Sequence, residues 1–244
     1  MSTEREPDNR LHLTSWRTLQ AVFLMSISTA LVLTMIFAGA FIPPVMFFAV
    51  LYLILAGVVL KWRFNTRVSL AVAALAILGL AGNAPFLMED LAHPESWGSF
   101  IPAAMAVIAG IASVVAAVAA IRTSNTRLVR PTLYAVEGLT FFAIAVSLAL
   151  SFSAEDASAE AGDLVVLAEG AEYPDSIAMT SPGGILIENR DRIRHTFVIE
   201  GTDVAVEVPA LKSRRTDVSL PAGTYDYICD VPGHESMKGT LTVQ

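Results

Sequence analysis

The stretch CDVPGHESMKG, residues 229–239, holds the only cysteine of the chain. Cys229 stands five positions before His234 and eight before Met237. A second imidazole, His195, opens the segment HTFVI 34 positions upstream, and Asn189 precedes it by six. A single cysteine makes no intrachain disulfide, so Cys229 is an unpaired buried thiol, an intermolecular bridge or a metal ligand. Its neighbours favour the ligand. Two imidazoles, one thiolate and a weakly bound thioether are a donor set suited to copper exchanging single electrons.

Such a site needs a rigid frame. From residue 163 the sequence breaks into short apolar runs: LVVLA, SIAMT, ILIEN, HTFVI, VAVEV, VSL, TYDYIC and GTLTV. Pro, Gly, Asn and Asp punctuate them, the pattern of an all-β sandwich or barrel. TYDYIC delivers Cys229 at a strand end and GTLTV starts the next strand. One tight loop therefore carries three donors, Pro232 and Gly233 turn it back, and His195 comes from a neighbouring strand. Residues 162–244 hold seven Lys and Arg against thirteen Asp and Glu. Nucleic acid is excluded as a partner by this acidity, whereas a basic protein redox partner fits it. Arg190, Arg192 and Arg194 alternate and read as a solvated face.

The rest of the chain has another solvent. The whole sequence is 54% hydrophobic and 16% charged, with a mean hydropathy of +0.59, and the long apolar runs lie before residue 153. A bilayer core takes roughly 20 apolar residues per helix. Five spans are predicted, at residues 18–41, 44–60, 68–88, 100–121 and 131–152. The first is read as a span and not a cleaved signal, despite the small-residue pattern Ala38-Gly39-Ala40, because its apolar run exceeds a signal peptide's. Lys61, Arg63 and Arg67 in one loop, and Arg122, Arg127 and Arg130 in another, face the cytoplasm by the positive-inside rule. The loop EDLAHPESWGS lacks Lys and Arg and faces outside. The N-terminus is then cytoplasmic and everything beyond the fifth span extracytoplasmic.

Polar groups at membrane depth are few. Asn83, near Pro85, is read as satisfying backbone groups freed by a kink, and Glu137 as reaching the interface. No histidine lies within a span: His12 is in the N-terminal tail and His93 in the outer loop, so a bis-histidine haem is excluded. Ala106, Ala109, Gly110, Ser113 and Ala117 suit close helix packing. The helical part reads as an anchor in the lipid bilayer.

YICDVPGHESMKGTLTV, residues 227–243, resembles the copper loop of the cupredoxins, the plastocyanin and azurin family. ENRDRIRHTFVI, residues 188–199, is similar to the family segment carrying its first histidine ligand. The resemblance spans residues 163–244 and says nothing of the helices. It implies a Greek-key sandwich and one mononuclear type 1 copper, with His195, Cys229 and His234 as equatorial ligands and Met237 axial. Asn189 would tie the ligand loops together, and the edge of His234 would lie nearer solvent as the electron port. Only two residues separate His234 from Met237, where the family has three or four. The dinuclear copper domain of cytochrome oxidase subunit II has a two-residue gap but needs a second cysteine, which this chain lacks.

The expected organisation is a polytopic membrane domain (1–152), an acidic linker (153–162) and a copper domain (163–244). The expected function is single-electron transfer with protein redox partners, without a catalytic residue. Copper delivery, and a role as a subunit of a larger respiratory or photosynthetic membrane complex, are the alternatives.

Overall fold

The structure, a computed structural model, describes residues 15–62, 65–123 and 125–244; His12 and Arg63 fall outside them. The helices are α1 (Trp16–Ala38), α2 (Pro43–Lys61), α3 (Thr66–Gly82), α4 (Ala84–Ala92), α5 (Trp97–Arg122) and α6 (Val129–Ser153). The described residues thus hold six helices where five were expected. Four are long and apolar enough to cross a membrane, five if α3 and α4 form one broken span.

The additional helix has a local cause. Pro85 disfavours helical backbone at the residue before it and supplies no N–H, and the chain bends by 64° between α3 and α4. Asn83 sits at the break, where its Nδ2 donates to the Gly79 carbonyl at 2.8 Å. That hydrogen bond satisfies one of the carbonyls left open at the end of α3.

α1 is central, packed against both α2 and α5, with Leu19, Phe23, Leu24 and Ile27 fully buried. Gly110 of α5 leaves room for the Leu80 side chain of α3. Polar ties also cross the bundle, two of them from buried side chains. Tyr52 of α2 donates to the Ala76 carbonyl at 3.2 Å. Gln20 of α1, fully buried, exchanges hydrogen bonds with Ser69 of α3; the sequence reading passed it over. Large apolar side chains such as Phe47, Leu78, Phe141 and Phe142 face outward.

The strands are β1 (Leu164–Ala168), β2 (Ser176–Met179), β3 (Gly183–Asn189), β4 (His195–Ile199), β5 (Ala205–Val208), β6 (Ser213–Val218), β7 (Gly223–Ile228) and β8 (Lys238–Val243). They form two sheets, ordered β1-β3-β6 and β2-β8-β7-β4-β5. β1 pairs parallel with β3, and β2 with β8; the other pairings are antiparallel. Alternate residues turn inward, as pleating requires, and Val166, Ile185, Ile187, Phe197, Tyr227 and Leu241 fill the space between the sheets. The expected strand VSL is present only as Val218 at the end of β6. SRRTD, the rest of that strand, escaped the reading because it is polar.

The sheet part sits against the helices. Gly98, in the first turn of α5, lies so close to the Arg192 carbonyl that a Cβ there would collide with it. Arg194, expected on a solvated face, is 5% exposed. It pairs with Glu89 of α4 and lies 3.6 Å from Glu207 of β5. His93, between α4 and α5, completes this tie at 3.5 Å from Glu207 and 3.2 Å from Glu95.

Candidate metal centre

β4 begins at His195, β7 ends one residue before Cys229, and β8 starts one residue after Met237. Pairing of β7 with β8 and β4 therefore gathers all these residues at one end of the five-stranded sheet. The connecting loop is closed by its own backbone. Cys229 N–H donates to the Met237 carbonyl at 2.9 Å, Met237 N–H to His234 at 2.8 Å and His234 N–H to Val231 at 3.0 Å. Gly233, with φ 92°, takes the left-handed conformation that lets the loop reverse.

The donor atoms converge. His195 Nδ1 lies 3.2 Å from His234 Nδ1, and Cys229 Sγ lies 3.5 Å from His234 Nδ1 and 4.0 Å from His195 Nδ1. Such separations suit ligand atoms about 2.0–2.3 Å from one first-row metal ion. Cys229 is 4% exposed and His195 fully buried. Met237, also fully buried, is held beside Cys229 by the backbone hydrogen bond between them.

Electrostatics leave these groups ready to bind a cation. Asp191 Oδ2 lies 2.8 Å from His195 Nε2, so Nε2 carries the proton and Nδ1 presents a lone pair. Burial raises the Asp191 carboxyl, but N–H groups of Ala171 and Gly170, with the His195 ring, hold it below the usual carboxylate range. Burial lowers His195, with Asp191 acting against it. Burial also drives His234 down to about 4, helped by His195 and Arg194. Both rings are therefore neutral near pH 7. Two imidazole nitrogens and a cysteine sulfur facing one another form a donor set that a metal ion completes, the thiol proton being released on binding.

Three supporting residues surround the donors. Asn189 Nδ2 reaches the carbonyls of Ile193, Val208 and Pro209 at 2.9–3.0 Å, and its Oδ1 accepts from Asp191 N–H at 2.8 Å. It thus ties the His195 loop to the end of β5. Asp191 and Thr196 were missed by the sequence reading. Thr196 N–H points to Cys229 Sγ at 3.4 Å, and its Oγ1 accepts from Asp230 N–H at 2.9 Å. Asp191 serves through its hydrogen bond to the far side of the His195 ring, and Thr196 reaches the sulfur through its backbone N–H, neither of which residue type reveals.

His234 is half-buried, more exposed than His195 and Cys229, and lines a cavity walled by α1, α2, α3, α4 and α5.

Comparison with known proteins bears on this geometry. Residues 140–243 match the family described as Cupredoxin-like domain, a match that begins within α6 and does not reach the earlier helices. No curated protein matches the chain. Among solved structures, an amicyanin variant in its reduced Cu(I) form at pH 4 is similar over 35% of this chain and 86% of its own, with 22% identity and a TM-score of 0.30. A second amicyanin variant, in its oxidised state, is 24% identical over the same shares, with a TM-score of 0.29. A Cu-containing nitrite reductase from Thermus scotoductus SA-01 is similar over 37% of this chain, 22% identical, with a TM-score of 0.29; only 24% of that enzyme's length is covered. The C-terminal part of this chain is a cupredoxin-like domain, with the donor set of a single type 1 copper site.

Proposed function

We propose that this protein is a membrane-anchored type 1 copper protein that carries single electrons on the extracytoplasmic face. The observation that carries the reading is the convergence of His195 Nδ1, His234 Nδ1 and Cys229 Sγ within one buried cluster. His195, Cys229 and His234, with Met237, would hold the copper ion. Bound there, copper supplies reversible one-electron exchange. The chain's own contribution is rigidity. Asp191 fixes the His195 tautomer, Asn189 locks the loop around it, and the Thr196 N–H stabilises negative charge on the Cys229 sulfur. Ligands held this way move little when the charge at the site changes. The long apolar helices support the bilayer anchor, and the basic loops support the orientation. The acidic domain surface supports a basic protein among its redox partners.

The test is a Cu(II) titration of the full chain in detergent, read by visible absorption and EPR. An intense thiolate-to-copper band with narrow copper hyperfine splitting, lost in Cys229→Ser and cycling reversibly with ascorbate and ferricyanide, is the expected result. Weak absorption with ordinary hyperfine splitting defeats the electron-transfer reading and leaves copper delivery. A complex retained through purification in mild detergent would identify the chain as a subunit of a larger assembly.

A further inference from the structure

The cavity against which His234 rests, about 430 Å³, is of a size that takes a small organic molecule. Its two ends differ chemically. Leu31, Phe48 and Leu80 are among the apolar bundle residues that wall it, while Asp90 at the end of α4, Arg194 and His234 of the copper loop line it with polar groups. An occupant matching both ends has an apolar tail and a compact polar head. The head is uncharged. Arg194, the cation at this end, is already taken up by Glu89 and Glu207, and the Asp90 carboxylate disfavours a phosphate. A phospholipid headgroup therefore fits poorly. Apolar walls set among helices with outward-facing Phe47, Leu53 and Leu78 suit a molecule that partitions into lipid. Beside a ligand of a one-electron centre, a useful polar head is one that releases electrons and protons together.

We propose that this cavity binds a lipid-soluble hydroquinone, its ring at Asp90 and His234 and its tail between α1, α2, α3 and α5. The inference rests on the copper reading above for the destination of the electrons. Oxidation of one hydroquinone to quinone breaks two O–H bonds and releases two protons and two electrons. The protons pass by way of the Asp90 carboxylate to water. The electrons leave singly past the His234 ring, each reducing one Cu(II) to Cu(I). Two copper centres are therefore used per hydroquinone, or one centre reoxidised in between by a one-electron protein acceptor.

The experiment uses the full chain in detergent and two probes. Decylubiquinone binding to copper-free protein is measured by calorimetry. Bleaching of the copper band by decylubiquinol is followed anaerobically on copper-loaded protein, with ascorbate as a control reductant. Saturable binding near one molecule per chain is expected. Ala103→Phe, which fills the cavity, should weaken it about tenfold or more and slow bleaching by decylubiquinol while leaving bleaching by ascorbate unchanged. Asp90→Asn, a milder change, should slow decylubiquinol alone by about tenfold, the usual scale of a lost proton acceptor being at least that. Non-saturable uptake, or equal affinity in wild type and a folded Ala103→Phe, overturns the site. Should Ala103→Phe fail to fold, an unchanged decylubiquinol rate in Asp90→Asn overturns it. Binding without a thiolate–copper band would sink the copper reading and keep the site; a normal band without binding does the reverse.

Discussion

At Asn189 one amide holds three carbonyls from two segments of chain, and the side chain is 2% exposed. Asn189→Ala strands those carbonyls in a buried place, which costs about 1–3 kcal/mol. Because Asp191 hangs from the same side chain, the His195 ring loses its fixed orientation too. Urea denaturation should show the lower stability, and the copper EPR signal should broaden; a variant with wild-type stability would remove the role assigned to Asn189. Met237 gives a second prediction. A thioether stabilises Cu(II) weakly by adding a donor, so Met237→Leu should raise the reduction potential, measured by redox titration of the visible band. An unchanged potential would mean that the two-residue gap after His234 keeps the sulfur from copper. The residues at the centre of the site were legible because their types are chemically rare here. Asp191 and Thr196 were not, since one serves through a second hydrogen bond and the other through its backbone.

The elements differ in how far their sequences announce them. The spans read clearly because a run of apolar residues has few alternatives to a buried or lipid-facing helix. The break at Asn83 was readable as a kink from Pro85, but its size, 64°, depends on where α4 packs. β6 went unseen because its outward residues carry charge. Arg215 pairs with Asp163 at 2.8 Å and with Asp217 at 2.8 Å, and charged edges are how sheets avoid pairing with other chains. Gly98 shows a constraint between elements that no periodicity encodes. Its missing Cβ lets the start of α5 approach the loop between β3 and β4. Gly98→Ala must push that loop away, at about 1–3 kcal/mol for a methyl without space. The expected outcome is a lower melting temperature with the copper band retained, measured by thermal scanning at the visible maximum. A melting temperature equal to wild type would show that the loop yields freely.

For the whole molecule, the proposed electron-transfer reading makes the contact between the copper loop and the helices decisive. His234 lines the cavity walled by the helices, so the lipid-soluble donor proposed above would reach it from the bundle side. That arrangement was invisible in the sequence because it depends on contacts between segments more than 100 residues apart, of which Arg194 with Glu89 is one. Arg194→Met tests it. Removing one member of a fully buried ion pair costs about 3–5 kcal/mol because the partner is left charged without water. Here the carboxylates keep their water, with Glu89 and Glu207 side chains 40% and 56% exposed. The loss should therefore be nearer the exposed-pair scale of about 1 kcal/mol. That is too small to unfold either part, yet enough to loosen one from the other. Arg194→Met is accordingly expected to keep its copper band and its reduction by ascorbate. Its reduction by decylubiquinol should slow, and the stretch 154–162 should be cleaved faster by a protease of broad specificity. A variant that keeps wild-type rates in both assays would mean that Gly98 and its neighbours hold the two parts together without the ion pair.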